Sequence, residues 1–215
     1  MLRGQTHKDR MARARTGVKM GLSQALTEAH AIRQAHGRFI FDLRDLSGRP
    51  LAYWERDNII VLDAGIQAAR LFKDPLEPTH GINMLAVGTG ASGALLSPDA
   101  PDPRQRRLNA EVARKGFSSS TFRDSGGTAV GYPTNIVDYT TTFGEAEAVG
   151  ALNEMGVIST ISDNPSTKNP NPDAFPTYTN TLDISNYDVQ INYLTFGVIS
   201  KPSASVLTIT WRLSF

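Results

Sequence analysis

The last ten residues, "VLTITWRLSF", alternate without a break. Leu207, Ile209, Trp211, Leu213 and Phe215 are large and apolar, and Thr208, Thr210, Arg212 and Ser214 lie between them. A period of two belongs to a strand with one side buried and one side wet. A lone strand is not stable, so the segment demands partner strands and a second layer to cover its apolar side. The same period recurs at Phe39, Phe41 and Leu43, with Ile40 and Asp42 between. "DLSGRP" (45–50) then reads as a turn, and "LAYWERDNIIVL" (51–62) as the returning strand of a hairpin.

Further along, Asp63 is placed to cap a short helix, "AGIQAARLFK", whose Ile66, Ala69 and Phe72 share a face. "INMLAV" (82–87) reads as a buried strand. "RLNAEVARKGFSSSTF" (107–122) reads as a turn of helix and then a strand. "TNIVDYTTTF" (134–143) and "ALNEMGVIS" (151–159) are two more strands. The Pro/Asn-rich "SDNPSTKNPNPDAFP" (162–176) is a surface loop. Ile191 and Tyr193 are expected to pair with the last strand through a turn at Pro202. The pattern predicts a mainly β fold, sandwich-like or a partly open barrel, with one short helix and an N-terminal helical arm in front. Residues 1–37 form the basic arm and 38–215 the β-rich body.

The arm is predicted helical over 7–36. Leu22, Ala25, Leu26, Ala29 and Ile32 fall at spacings of three and four, a stripe that suits packing on one neighbour. Gly37 is placed to end the helix in a left-handed turn. Residues 1–38 carry eight Lys/Arg against two acids, while the rest carries fourteen against nineteen. A basic arm on a mildly acidic body can bind nucleic acid or an acidic neighbouring subunit. Lys8, Arg10, Arg13, Arg15 and Lys19 run on without an apolar core segment, which is not a secretory signal. No stretch approaches 18 apolar residues, so no membrane-spanning helix is expected. The absence of cysteine excludes thiolate zinc sites, a cysteine nucleophile and a disulfide scaffold.

Gly88, Gly90 and Gly93 in "MLAVGTGASG" have the G-x-G-x-x-G spacing of a dinucleotide-binding turn. That motif needs a helix after the third glycine, to hold a pyrophosphate on its first amides. Here Pro98, Pro101 and Pro103 follow and forbid one. Glu111 stands near the distance of the ribose-binding acid, but in a charged segment that does not read as a strand. The glycines are read instead as letting the chain turn sharply after a buried strand.

Other enzyme constellations are weaker. His7, His30 and His36 lie in the arm and His80 stands alone. Glu145, Glu147 and Glu154 could be paired carboxylates, but charges beside a turn are the simpler account. Asp163, Asn164, Asn169, Asn171 and Asp173 offer oxygens for calcium without the loop pattern that makes such a site specific. Trp54, Tyr53, Tyr132, Tyr178 and Trp211 could stack on sugars, with Trp211 assigned to the core. Glu111 and Arg114 are spaced to pair with each other, and Glu154 to bond a backbone or Arg114. No catalytic, metal or cofactor site is assigned.

Taken in order, "NIIVLDAGIQAARLF", "INMLAVGTGAS", "RLNAEVARKGF" and "ALNEMGVIS" resemble the N-terminal attachment domain of bacteriophage tail-collar and tail-fibre proteins. That family shows a "T-x-x-G" helix start, an apolar strand ending in "VG-x-G", an "E-V-x-R" segment and an "E-x-G-[ILV]" strand. The matching positions here are Asp63 to Gly65, Val87 to Gly90, Leu108 to Arg114 and Glu154 to Val157. The resemblance covers residues 57–160 and the closing strand. It departs in having a basic arm and a hairpin in front and no fibre shaft behind, which suits an adaptor.

The resemblance implies a non-catalytic virion structural protein in the tail, baseplate or collar. It would be assembled in the host cytoplasm, dock fibres or adjacent subunits, and repeat as a homo-oligomer. Arg10, Arg13, Arg15, Leu22, Leu26 and Ile32 are its expected partner-binding residues. A decoration protein on the phage head and a nucleic-acid-binding protein acting through the arm are the alternatives. The body's lack of a basic stripe with interleaved aromatics weighs against nucleic acid.

Overall fold

Phe39, Phe41 and Leu43 are buried on one side of the first strand, as their alternation requires. The structure is a computed structural model and describes residues 35–74, 76, 81–172 and 187–215. Arg10, Arg13, Arg15, Leu22, Leu26 and Ile32 lie outside the described residues, as does most of the expected arm helix.

The elements in order are β1 (His36–Asp45), β2 (Pro50–Ile60), α1 (Leu62–Lys73), β3 (Met84–Gly88), β4 (Gly93–Ala94), β5 (Ser97–Pro98) and β6 (Glu111–Gly116). Then come β7 (Ser119–Arg123), β8 (Ala129–Val130), β9 (Ile136–Phe143), β10 (Gly150–Ser159), β11 (Val189–Gln190), β12 (Asn192–Lys201) and β13 (Ser205–Ser214). The fold is mainly β with one short helix among the described residues, and residues 36–214 form one compact unit.

Eleven strands make one antiparallel sheet in the order β6-β3-β10-β12-β2-β1-β13-β9-β7-β8, with β11 beside β10. It bends in two places. Strands β12 and β2 pair only at Asn192–Ile60 and Tyr193–Ile59. At the other side β6 runs into β7 with only Phe117 and Ser118 between, and the Ser118 amide donates to Thr140 O at 2.7 Å. Aromatic rings fill the space inside. Phe41 stacks on Trp54 at 4.9 Å, and Phe196 from β12 lies 5.2 Å from Trp54. Trp211 is wholly buried between Phe39 and Tyr139.

Strand β13 alternates as its sequence demands, with Leu207, Ile209, Trp211 and Leu213 inward. Each large aliphatic buried there contributes roughly 1.5–3 kcal/mol. Phe215 lies past the strand's end and is half exposed. Strand β12 does not pair with β13, contrary to expectation. The connection carries the chain from one side of the sheet to the other, and β13 inserts between β1 and β9. Buried Lys201 holds this corner, its ammonium donating to Gly144 O at 3.0 Å and Ser205 O at 3.1 Å.

Three other expectations need correction. Gly37 is not a helix terminator but a β1 residue opposite Leu213 and Asn58. Directly above it Trp211 Nε1 donates to Asn58 Oδ1 at 3.1 Å, and a Cβ at Gly37 would collide with both groups. "RLNAEVAR" makes no turn of helix; its second half is strand β6, antiparallel to β3. And α1 begins at Leu62 without a side-chain cap, so Asp63 lies within its first turn.

Helix α1 also packs the other way round. Asp63 and Gln67 are the residues it buries, while Phe72 is 90% exposed and Ala69 faces solvent. Beneath it lies Arg106, whose Nε is 3.4 Å from the Asp63 carboxylate with both side chains buried. The need of that buried cation for a carboxylate decides which face turns in.

Candidate functional site

The segments quoted for their glycines and acids converge on one side chain. Glu154 of β10 has no exposed surface. Its Oε1 accepts the Gly90 amide at 3.0 Å and the Ala110 amide at 2.8 Å. Its Oε2 accepts the Asn109 amide at 3.0 Å and the Tyr193 hydroxyl at 2.7 Å. Neighbouring Asn153 takes the Ala91 amide at 3.0 Å, and Asn109 Nδ2 returns a bond to Gly90 O at 3.0 Å. Two loops, after β3 and before β6, are thereby tied to β10 and β12.

The glycines are explained by this carboxylate. A Cβ at Gly88 would stand 2.5 Å from both Ala110 O and Glu154 Oε1. At Gly90 it would meet the Ala110 amide nitrogen, with Glu154 Oε1 at 2.8 Å. Close approach, not a left-handed backbone, sets both positions. Gly93, at a φ of 93°, opens the two-residue strand β4 and no helix. Glu111 does lie on a strand, contrary to the reading of its segment, but an antiparallel one. The dinucleotide arrangement is therefore not built here.

Burial pushes the Tyr193 hydroxyl well above the ordinary tyrosine range, and the adjacent Glu154 charge and hydrogen bond add to it. A phenol held neutral and a carboxylate with four donors are both fully engaged. Tyr193, but not the wholly buried Glu154, borders an open cleft of about 360 Å³, lined among others by Asp99, Asp102, Gln105 and Asn109. Asp102 in that cleft is held by Arg104 at 2.8 Å.

A second polar cluster braces the same region. Arg114 forks onto Glu111 with two bonds of 2.7 Å and reaches Asp188 at 2.6 Å. Lys168 also approaches Glu111, at 3.0 Å. Burial alone would raise the Glu111 carboxyl, but Arg114 and Lys168 outweigh it and hold the group below its usual range. The expected pairing of Glu111 with Arg114 thus exists, on a strand. Val112 is the extra residue of a bulge opposite Val87 and Gly88, which returns residues 111 and 114 to one side. Arg114 does not reach Glu154.

The remaining candidates are dispersed. Glu147 pairs with Lys115 at 2.7 Å and takes the Gly144 amide, while Glu154 is buried elsewhere. Asn164 accepts the Ser166 amide, Asp163 takes a bond from Asn83, and the Asn169 amide donates to Asp188. His36 is 3.5 Å from Asp57 and mostly exposed. Trp54 is packed on Phe41, Trp211 is core, and Tyr53 and Tyr132 are exposed on separate elements. His7, His30, His80, Asp173 and Tyr178 lie outside the described residues. Sequence reasoning missed Asn109, Tyr193 and Asp188. Only the tyrosine carried a signal, as a polar tip within an apolar strand.

No family model matches the chain, and no curated protein matches it at a significant level.

Proposed function

We propose that this chain is a non-catalytic structural subunit of a bacteriophage virion, in the tail in preference to the head. There it would dock fibres or adjacent subunits at a collar or baseplate. One observation carries the reading. Three of the segments on which the resemblance rests, Val87 to Gly90, Leu108 to Arg114 and Glu154 to Val157, meet at the Glu154 carboxylate. The shared residues are spent on holding loops against a sheet, which gives a docking domain a rigid surface. A carboxylate occupied by three amides and a phenol has no free position for a substrate proton.

The partners in this reading are other virion structural proteins and further copies of the chain. The basic arm reaches a neighbouring subunit through Arg10, Arg13, Arg15, Leu22, Leu26 and Ile32, and many weak contacts sum by repetition. The test is labelled antibody against this chain on purified particles, viewed by electron microscopy. Label at the tail or collar is the expected result. Label over the head would replace docking with capsid decoration. An unlabelled particle, with DNA binding that falls steeply with salt, would replace both with a nucleic-acid role.

A further inference from the structure

Helix α1 buries its polar side and leaves its apolar side outward. Leu62 is 48% exposed, Phe72 90%, and Leu76 just past the helix 83%. Ala69 is exposed between them, Ile66 is partly so, and a Cβ at Gly65 would meet nothing within 4 Å. A surface helix ordinarily does the reverse, and a contiguous apolar face marks a contact surface. The order of these residues shows what fits it. Within the helix Ile66 and Phe72 stand three residues to either side of Ala69, with Leu62 at its start and Leu76 beyond its end, past the extended Asp74.

We propose that this face binds its own twin: two copies of the chain pair through α1, antiparallel, about a two-fold axis at Ala69. A two-fold interface brings the same patch from both copies together, so residue i meets j and j meets i. Here Ile66 meets Phe72 and Ala69 meets Ala69, the smallest side chain of the stripe falling where the helices cross, and Leu62 lies toward the segment that follows the second copy's helix. Lys73 is the one charge on this side of the helix, and it falls opposite Gly65, so no like charges meet. The antiparallel helix dipoles attract, and Asp74 comes beside the uncapped first turn of the second copy's helix. Burying one phenylalanine removes roughly 150–250 Å² from water. With its four companions, counted on both copies, the total is on the order of 1,000 Å², the size at which a specific interface begins. The pairing rests on this apolar face and stands whether or not the chain belongs to a virion.

The chain has no cysteine, so Ala69→Cys introduces a unique thiol. Mild oxidation of that full-length variant should give a disulfide-linked dimer on a non-reducing gel. Ser125→Cys, in an exposed turn, should not. The unmodified chain should sediment as a multiple of the monomer at about 100 μM, where an interface of micromolar affinity is saturated. Phe72→Glu should halve the mass that Ala69→Cys captures while leaving the melting temperature unchanged, since that ring touches little of its own chain. A monomeric unmodified chain, an oligomer that Phe72→Glu leaves intact, or a failed cross-link at residue 69 would each overturn the pairing. Loss of association on Leu26→Glu, with no cross-link formed by Ala69→Cys, would assign the face to the N-terminal segment of another copy.

Discussion

Glu154 illustrates how one buried charge can fix several loops. Its two oxygens accept four donors, three of them backbone amides. Glu154→Gln turns one of those oxygens into an amide donor facing donors. The expected loss is about 3 kcal/mol of unfolding free energy, read from urea denaturation. An unchanged midpoint would refute the tie. Tyr193 adds a pH dependence. Its folded pKa lies above the unfolded value of about 10, so the stability it gives is complete below pH 10 and lost as pH rises beyond it. Denaturation midpoints of the wild-type and Tyr193→Phe chains should therefore begin to converge above about pH 10. The acid and the glycines were visible in the sequence. Their connection was not, because the donors are main-chain amides, which no letter of the sequence marks. The glycine spacing was a real signal of crowding that happens to coincide with a nucleotide motif.

At the scale of elements, alternation identified β1 and β13, because in each of them one side faces a core; β9 and β10 were read from their β-branched and apolar composition, and β10 shows no alternation because it is buried on both faces. Helix α1 was found from a supposed Asp63 cap and the shared face of Ile66, Ala69 and Phe72, but that face turns outward, because amphipathic pattern shows which side is apolar and not which side is covered. What covers α1 is the Asp63–Arg106 contact, residues 43 apart whose pairing no local pattern announces. That contact should be tested by a mutant cycle. Arg106→Met leaves Asp63 buried without its cation and should cost about 3–5 kcal/mol, whereas pairing it with Asp63→Leu should recover most of the loss. Thermal melting of the two single variants and the double one decides it; additive losses would mean that the two groups do not hold the helix together. Strand β6 was missed for a related reason. Its Glu111, Arg114 and Lys115 read as a charged helical turn, and only the neighbouring strand and Asp188 make charged side chains tolerable on a strand.

At the scale of the whole molecule, the most legible strand is also the last to be made. Strand β13 lies between β1 and β9, so the first described strand pairs with the final one, His36 opposite Ser214. Without β13, β1 keeps only its hairpin partner β2, β9 keeps only the short β7, and the space around Phe39 and Tyr139 loses Trp211. A two-stranded hairpin is not independently stable. Loop closure across nearly the full described chain must precede the contacts that reward it, so folding belongs to the slow, millisecond-to-second range of all-β proteins. Trp211, buried only when β13 inserts, reports that step by its fluorescence in a Trp54→Phe chain, where it is the single tryptophan. Stopped-flow refolding should show its burial in the same slow phase that restores the far-ultraviolet β signal. A chain ending at Ala204 should show no cooperative melting transition at all. A folded, cooperatively melting truncation would mean that β1–β2 and β9–β7 hold without the strand between them, and that the C-terminal alternation closes the sheet without organising it.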